Sequence, residues 1–257
     1  AIASGDVNGD NFEDIIVGAY GCDLPGKLDV GITYVIFGSQ VLQSIGTIDL
    51  HVIPIPSGIL TIYGENNGDN SGYSVASGDL DGNGKDEIII GAPSGYYRRG
   101  VTYVILGSSA LFTSGSLYLS NYISGMVKMY GRNGDDFLGK SVSTGDITGD
   151  GYRELIVGAP GVDTINKVNV GEVDVLQGFL DYPMLGLTKI NGLFAYSGFG
   201  TSLTAGDING DNNEDLLVGC SESNNNSGEV FVLMGQNDFT ILQQIDLSDS
   251  TKKITRI

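Results

Sequence analysis

Apolar residues in this chain come in short runs separated by glycine, aspartate and asparagine. One set of runs is continuous: Ile15-Ile16-Val17 before Gly18, Ile88-Ile89-Ile90 before Gly91, Leu155-Ile156-Val157 before Gly158 and Leu216-Leu217-Val218 before Gly219. Runs this short and this apolar read as strands buried on both faces. A second set is framed by two glycines with six residues between: Gly31 to Gly38, Gly100 to Gly107, Gly171 to Gly178 and Gly228 to Gly235. These strands alternate more. A looser strand follows each, at residues 59–63, 126–130, 187–190 and 252–257, and a short one precedes the continuous run, as at 73–77. The pattern predicts four strands per unit.

The units are copies of one another. Each carries an acidic loop just before its continuous run, led by Asp6, Asp79, Asp146 or Asp207; these stand 73, 67 and 61 residues apart. A drifting period around a fixed core places variable loops between constant strands. Four antiparallel strands at this period read as a propeller blade. One blade cannot bury both of its faces, so neighbours must stack. The alternative is a β-sandwich with coincidental similarity. Residues 1–257 thus form one all-β repeat region, with blades over about 1–64, 72–131, 139–192 and 200–257.

Composition narrows the function. The chain has 40 glycines but only 6 prolines, so it is not collagen-like. Its net charge is −18, from 31 acidic and 13 basic residues. Phosphate backbones and anionic lipid surfaces would be repelled, so neither nucleic acid nor direct membrane insertion is expected. No apolar run is long enough to span a bilayer. The chain opens on strand-like Ala1-Ile2-Ala3-Ser4 rather than a leader, as expected of a chain trimmed from a longer precursor. Two cysteines do not make a disulfide scaffold.

The acids are spaced by two. Positions 1, 3, 5 and 9 of the loops are Asp6, Asn8, Asp10 and Asp14; Asp79, Asp81, Asn83 and Glu87; Asp146, Thr148, Asp150 and Glu154; and Asp207, Asn209, Asp211 and Asp215. Like charges this close repel unless a cation sits among them. Hard oxygen ligands on a tight turn suit calcium. Position 7 (Phe12, Lys85, Tyr152 and Asn213) would offer its backbone carbonyl, so its side chain is free to vary. Position 4 is always Gly, and position 6 is Asn11, Gly84, Gly151 or Asn212, residues that tolerate positive φ. The opening is like an EF-hand, but position 12 is Val or Ile inside a strand rather than a bidentate Glu. Magnesium fits less well, and zinc lacks Cys and His ligands. A bare Asp/Asn/Gly turn is the alternative. The loops account for 12 of the 31 acids, and four bound Ca²⁺ would move the charge from −18 to −18 + 8 = −10. Loop three is the weakest, since Thr148 offers only a hydroxyl.

These motifs resemble the FG-GAP repeats of integrin alpha subunits. Phe199-Gly200 matches the family's Phe-Gly step; Leu138-Gly139 and Ser71-Gly72 keep only the glycine. Gly-Ala-Pro stands at residues 91–93 and 158–160 and is degraded at Gly18-Ala19-Tyr20 and Gly219-Cys220-Ser221. The resemblance implies a β-propeller with calcium between the first two strands of a blade, and an extracellular or cell-surface role in adhesion or protein binding. The family's propeller has seven blades, so these four are expected to belong to a larger ring, to close alone, or to form an open array. Only some integrin blades carry calcium, whereas all four loops here have the pattern.

Other candidates carry less. His51 is the only histidine, and no triad can be built on it. Repeated carboxylates argue against a unique glycosidase site. Cys22 and Cys220 are read as free thiols, a disulfide between them being the alternative. Asn225-Asn226-Ser227 is a glycosylation sequon, and Tyr96-Tyr97-Arg98-Arg99 an exposed turn that could serve as a contact patch. The expected function is a non-enzymatic calcium-binding module with a protein partner. The alternatives are a self-associating surface filament or coat, and an accessory propeller of a secreted enzyme such as a glycosylphosphatidylinositol-specific phospholipase D.

Overall fold

Each continuous apolar run forms the second strand of an antiparallel sheet. The computed structural model describes residues 1–40, 46–50, 58–110, 115–121, 123–177, 187–223, 227–235, 244–247 and 254–256. Blade 1 contains β1 (Ile2–Gly5), β2 (Asp14–Ala19), β3 (Ile32–Ile36) and β4 (Ile59–Tyr63). Blade 2 contains β5 (Ser74–Gly78), β6 (Glu87–Ala92), β7 (Val101–Ile105) and, after a short strand β8 (Ser116–Tyr118), β9 (Met126–Tyr130). Blade 3 contains β10 (Ser141–Gly145), β11 (Glu154–Ala159), β12 (Glu172–Leu176) and β13 (Leu187–Asn191). Blade 4 contains β14 (Phe199–Gly206), β15 (Asp215–Cys220), β16 (Glu229–Leu233) and, after β17 (Gln244–Asp246), β18 (Ile254–Arg256). Strands pair antiparallel in chain order within each blade. The acidic loops and the links from third to fourth strands therefore lie at one end of the blades. The turns from second to third strands and the crossings between blades lie at the other.

Two strands have no sequence expectation behind them. β8 and β17 each leave their own repeat and add parallel to the outer strand of the preceding blade: β8 beside β4, β17 beside β13.

The core lies between blades. Successive side chains of a strand point to opposite faces, so β6 serves two interfaces. Ile88 and Ile90 pack with Ile16, Val35 and Leu60 of blade 1, while Ile89 packs with Leu155 and Val157 of blade 3. Ile156 and Val173 of blade 3 pack with Leu216, Val218 and Phe231 of blade 4. The third strands were expected to alternate. Instead β7 and β12 are buried throughout, because neighbours cover both faces of the inner blades. Ile89 is fully buried, and Ile89→Val should cost about 0.5–1.5 kcal/mol in denaturant unfolding.

Glycine sets how closely blades approach. A Cβ on Gly18, Gly91 or Gly158 would lie 2.1, 2.1 or 2.2 Å from the carbonyl oxygen of Gly72, Gly139 or Gly200 in the next blade. Those three partners have φ of +81°, +82° and +87°. They are the glycines of the Phe-Gly step, which is why that step keeps its glycine even where the phenylalanine has gone. β1 packs beside β5, β5 beside β10 and β10 beside β14, so the described blades stack in chain order.

Candidate functional site

The four acidic loops occupy the hairpins between first and second strands. In each, position 1 folds the loop around itself. Asp6 accepts the amides of Gly9 (2.8 Å), Asp10 (3.0 Å) and Asn11 (2.8 Å). Asp79 accepts those of Gly82, Asn83 and Gly84, and Asp207 those of Gly210, Asp211 and Asn212. Asp146 accepts from Asp150 and Gly151. Position 5 accepts the amide of position 7: Asp10 from Phe12, Asn83 from Lys85, Asp150 from Tyr152 and Asp211 from Asn213. Asn8 and Asp81 accept the amides of Asp10 and Asn83 in the same way. Positions 4 and 6 have positive φ in all four loops, including Asn11 (68°) and Asn212 (70°).

Position 9 starts the second strand and is fully buried in every loop. Its carboxylate ties the loop to the blade. Asp14 accepts Val7 (3.0 Å) and Gly38 (2.8 Å), Glu87 accepts Leu80 (2.7 Å) and Gly107 (3.2 Å), and Asp215 accepts Ile208 (3.1 Å) and Gly235 (2.8 Å). In Asp14 and Glu87 each bonded oxygen keeps a second lone pair for an ion, whereas both Asp215 oxygens also face the Asn209 amide nitrogen at 3.4 Å.

Loop two gathers its acids most tightly. Carboxylate oxygens of Asp79, Asp81 and Glu87 lie within 4.8 Å of one another, the one such trio among the described residues. Loop two is the one loop with a carboxylate at position 3; that position is Asn8, Thr148 or Asn209 in the others. Where it is Thr148, its hydroxyl donates to Glu154 (3.1 Å), and where it is Asn209, its amide nitrogen turns to Asp215 (3.4 Å). Asp81 has no proton to donate there.

Burial, opposed by backbone amides and increased by the neighbouring acids, pushes Asp14 up to about 6 and Glu87 to about 7. Burial and Asp150 push Glu154 to about 7. Carboxylates held above their ordinary range by burial and like charge are what a cation would relieve, so the residues fit a hard divalent ion. With the folded pKa raised, the folded state binds more protons than the unfolded chain between about pH 4 and 7. In chelator these groups therefore cost stability as pH rises through that window. In calcium the trend reverses, because protons compete with the ion. Thermal melts at pH 5.5 and 7.5, with and without calcium, check this crossing.

Position 8 links neighbouring loops, which sequence reading missed. Asp86 accepts the amide of Asp6 (3.1 Å) and donates its own to the Asp6 carbonyl (3.0 Å). Glu214 does the same to Asp146, at 3.2 Å each way. Between loops two and three the position is Arg153, which binds Thr144 and Glu214 instead. The side chains of Lys85 and Tyr152 lie against Gly9 and Gly82 of the preceding loops. An ionic cluster on buried acids was also missed: Glu172 takes the half-exposed Arg132 (2.5 Å) and Lys189 (2.8 Å), and Lys189 also reaches Asp174 (2.8 Å). Its signal was present, as acids in the apolar third strand where the earlier copies have Ile32 and Tyr34, or Val101 and Tyr103.

At the opposite end, Tyr96, Tyr97 and Arg98 make one turn with three successive left-handed residues (φ 49°, 61° and 63°), and Tyr97 is 87% exposed. Tyr20, Ile165 and Tyr196 are exposed at the same end. Cys22 and Cys220 are free thiols, and burial pushes Cys220 up to about 12. His51 and the asparagines of the 225–227 sequon lie outside the described residues.

Stacked four-stranded blades, each with one acidic hairpin, define an all-β repeat protein of the propeller type. The FG-GAP repeat model matches residues 1–36, 71–105, 138–176 and 199–233, and the chain belongs to the FG-GAP repeat family. It is an integrin-alpha-like FG-GAP domain. It is 26% identical over 276 residues to integrin alpha-PS2 of Drosophila melanogaster, covering 99% of this chain and 17% of that protein. It is 30% identical over 151 residues to integrin alpha-V of Gallus gallus (57% and 13%). It is 30% identical over 180 residues to the phosphatidylinositol-glycan-specific phospholipase D of Dictyostelium discoideum (63% and 19%). The chain thus spans less than a fifth of these relatives' length.

Proposed function

We propose that this chain is a calcium-stabilised protein-binding module of an extracellular or cell-surface protein, without catalytic chemistry of its own. The observation that carries this reading is the fourfold loop: one oxygen-ligand pattern on one hairpin, repeated at one end of the stack. A catalytic site is single, whereas a repeated ion site serves architecture. Up to four Ca²⁺ would bind, through the side chains at positions 1, 3, 5 and 9 and the carbonyl at position 7. Loop two, with its carboxylate trio, is the strongest and loop three the weakest. The similarity to integrin alpha subunits supports an adhesive role. The opposite end, with Tyr20, Tyr96, Tyr97, Ile165 and Tyr196 exposed, is the face we assign to a protein partner. Aromatic side chains bring large contact area at low entropic cost.

Calorimetric titration with calcium tests the ion sites. Several equivalents should bind, with magnesium much weaker; no heat and no competition between the two ions would sink the reading. Substituting Asp79→Asn and Asp81→Asn together should remove about one equivalent. The phospholipase D similarity favours a second reading, in which the same module accompanies a catalytic domain elsewhere in a longer chain. The sequence of the full polypeptide decides between the two.

A further inference from the structure

The two added strands follow one rule. β8 starts 11 residues after β7 ends, and β17 starts 11 residues after β16 ends (116 − 105 and 244 − 233). Both have the pattern polar-apolar-any-Leu: Ser116-Leu117-Tyr118-Leu119 and Gln244-Ile245-Asp246-Leu247. The closing leucine is buried in both, Leu119 in the core between blades 1 and 2, Leu247 in that between blades 3 and 4. The ladder of β8 is bracketed by two hydrogen bonds, the Thr61 amide to the Gly115 carbonyl (3.2 Å) and the Leu119 amide to the Tyr63 carbonyl (2.9 Å). In both cases the donor is the later repeat and the acceptor is the outer strand of the blade before it.

Repeat 1 carries the same element at the same place. Eleven residues after β3 ends at Ile36 stands Thr47-Ile48-Asp49-Leu50, preceded by Gly46 as β8 is by Gly115. Repeat 3 has no room for one: its link spans residues 177–186, ten residues, against 22 (37–58), 20 (106–125) and 20 (234–253) in repeats 1, 2 and 4. Residues 46–50 form no strand and join no ladder among the described residues, and Ile48 and Leu50 are only half-buried. Blade 1 has no blade before it in this sequence.

The geometry points to residues 47–50 as a donor strand whose acceptor is the outer strand of a further blade of the same kind, N-terminal to blade 1 in the same polypeptide. Both observed additions run between consecutive repeats of one chain, and the relatives extend far beyond the region matched here, so the same chain is the source to which the proposal commits. The strand would add parallel, with the amides of Ile48 and Leu50 turned to the acceptor, as Leu119 is to Tyr63, and Leu50 closing the apolar seam between the two blades.

Hydrogen exchange on the full polypeptide and on the 257-residue chain, each over a range of concentrations, tests this. The Leu50 amide should exchange at least about a hundredfold more slowly in the full polypeptide than in the 257-residue chain. Ile48→Pro, which removes one amide of the ladder, should abolish that protection in the full polypeptide and leave the melting of the 257-residue chain unchanged. Equal, fast exchange in both forms would overturn the assignment of the strand. Protection in the 257-residue chain that grows with concentration would make a second copy the acceptor and overturn the commitment to the same chain. A full polypeptide with no blade ahead of residue 1 would do the same.

Discussion

With all four loops filled, calcium should raise the melting temperature of this chain more than any single substitution lowers it. An ion bound only by the folded state stabilises by about 2.7 kcal/mol at a hundredfold excess over Kd. Extracellular calcium modules have Kd of about 10⁻⁴–10⁻³ M, so 10 mM calcium approaches that excess at the tighter sites. For a chain of this size 1 kcal/mol is worth about 2–4 °C. One working loop would then give about 5–10 °C over chelator, and four up to about 40 °C. The size of the shift thus counts the loops. Repulsion among Asp79, Asp81 and Glu87, whose oxygens converge within 4.8 Å, is the part relieved first. Magnesium, which dehydrates reluctantly, should reproduce little of the effect. A melt insensitive to chelator would reduce the loops to self-capped turns.

Gly91→Ala should be strongly destabilising for a one-methyl change. The added Cβ would sit 2.1 Å from the Gly139 carbonyl oxygen, a backbone atom with no rotamer to move. Blades 2 and 3 must separate to admit it, loosening the apolar contacts of Ile89, Leu155 and Val157. Overpacking of this kind costs about 1–3 kcal/mol or more, a fall of roughly 6–12 °C at its upper end. Gly219→Ala is the matched control. It lies at the same place in blade 4, where the nearest backbone atom is 3.7 Å away and the close atom is the mobile Ser202 hydroxyl. It should move the melt by a degree or two. Equal effects from the two would mean that the blade contact does not set this glycine.

The strands and the loop backbone were legible because they are local. Continuous apolar runs and glycine frames announce strands, and Asn11 and Asn212 announce left-handed turn positions. What faces what was not legible. Ile88 and Ile89 look alike in a list of residues yet serve different interfaces. Glu172 and Asp174 were visible as acids in an apolar strand, but their partners Arg132 and Lys189 come from other segments. β8 and β17 were passed over because three residues are too few for a pattern to stand out; their strand character comes from the edge they join. Within the acidic loops, the inward turn of the Thr148 and Asn209 donors depends on side-chain orientation, which spacing does not encode.

The ties between blades are unevenly shared. Blades 1 and 2 exchange β8 and are joined by Asp6 and Asp86; blades 3 and 4 exchange β17 and are joined by Asp146 and Glu214. The boundary between blades 2 and 3 has neither an added strand nor an acid-to-amide tie; it is held by apolar packing, the Arg132–Glu172 pair, the Lys140–Tyr73 contact and the hydroxyls of Ser74 and Thr144 on opposing carbonyls. Under load the molecule therefore has a fracture plane. Pulled from its ends, it should part first into two rigid halves there, and salt, which screens the half-exposed Arg132–Glu172 pair across that plane, should lower the force required.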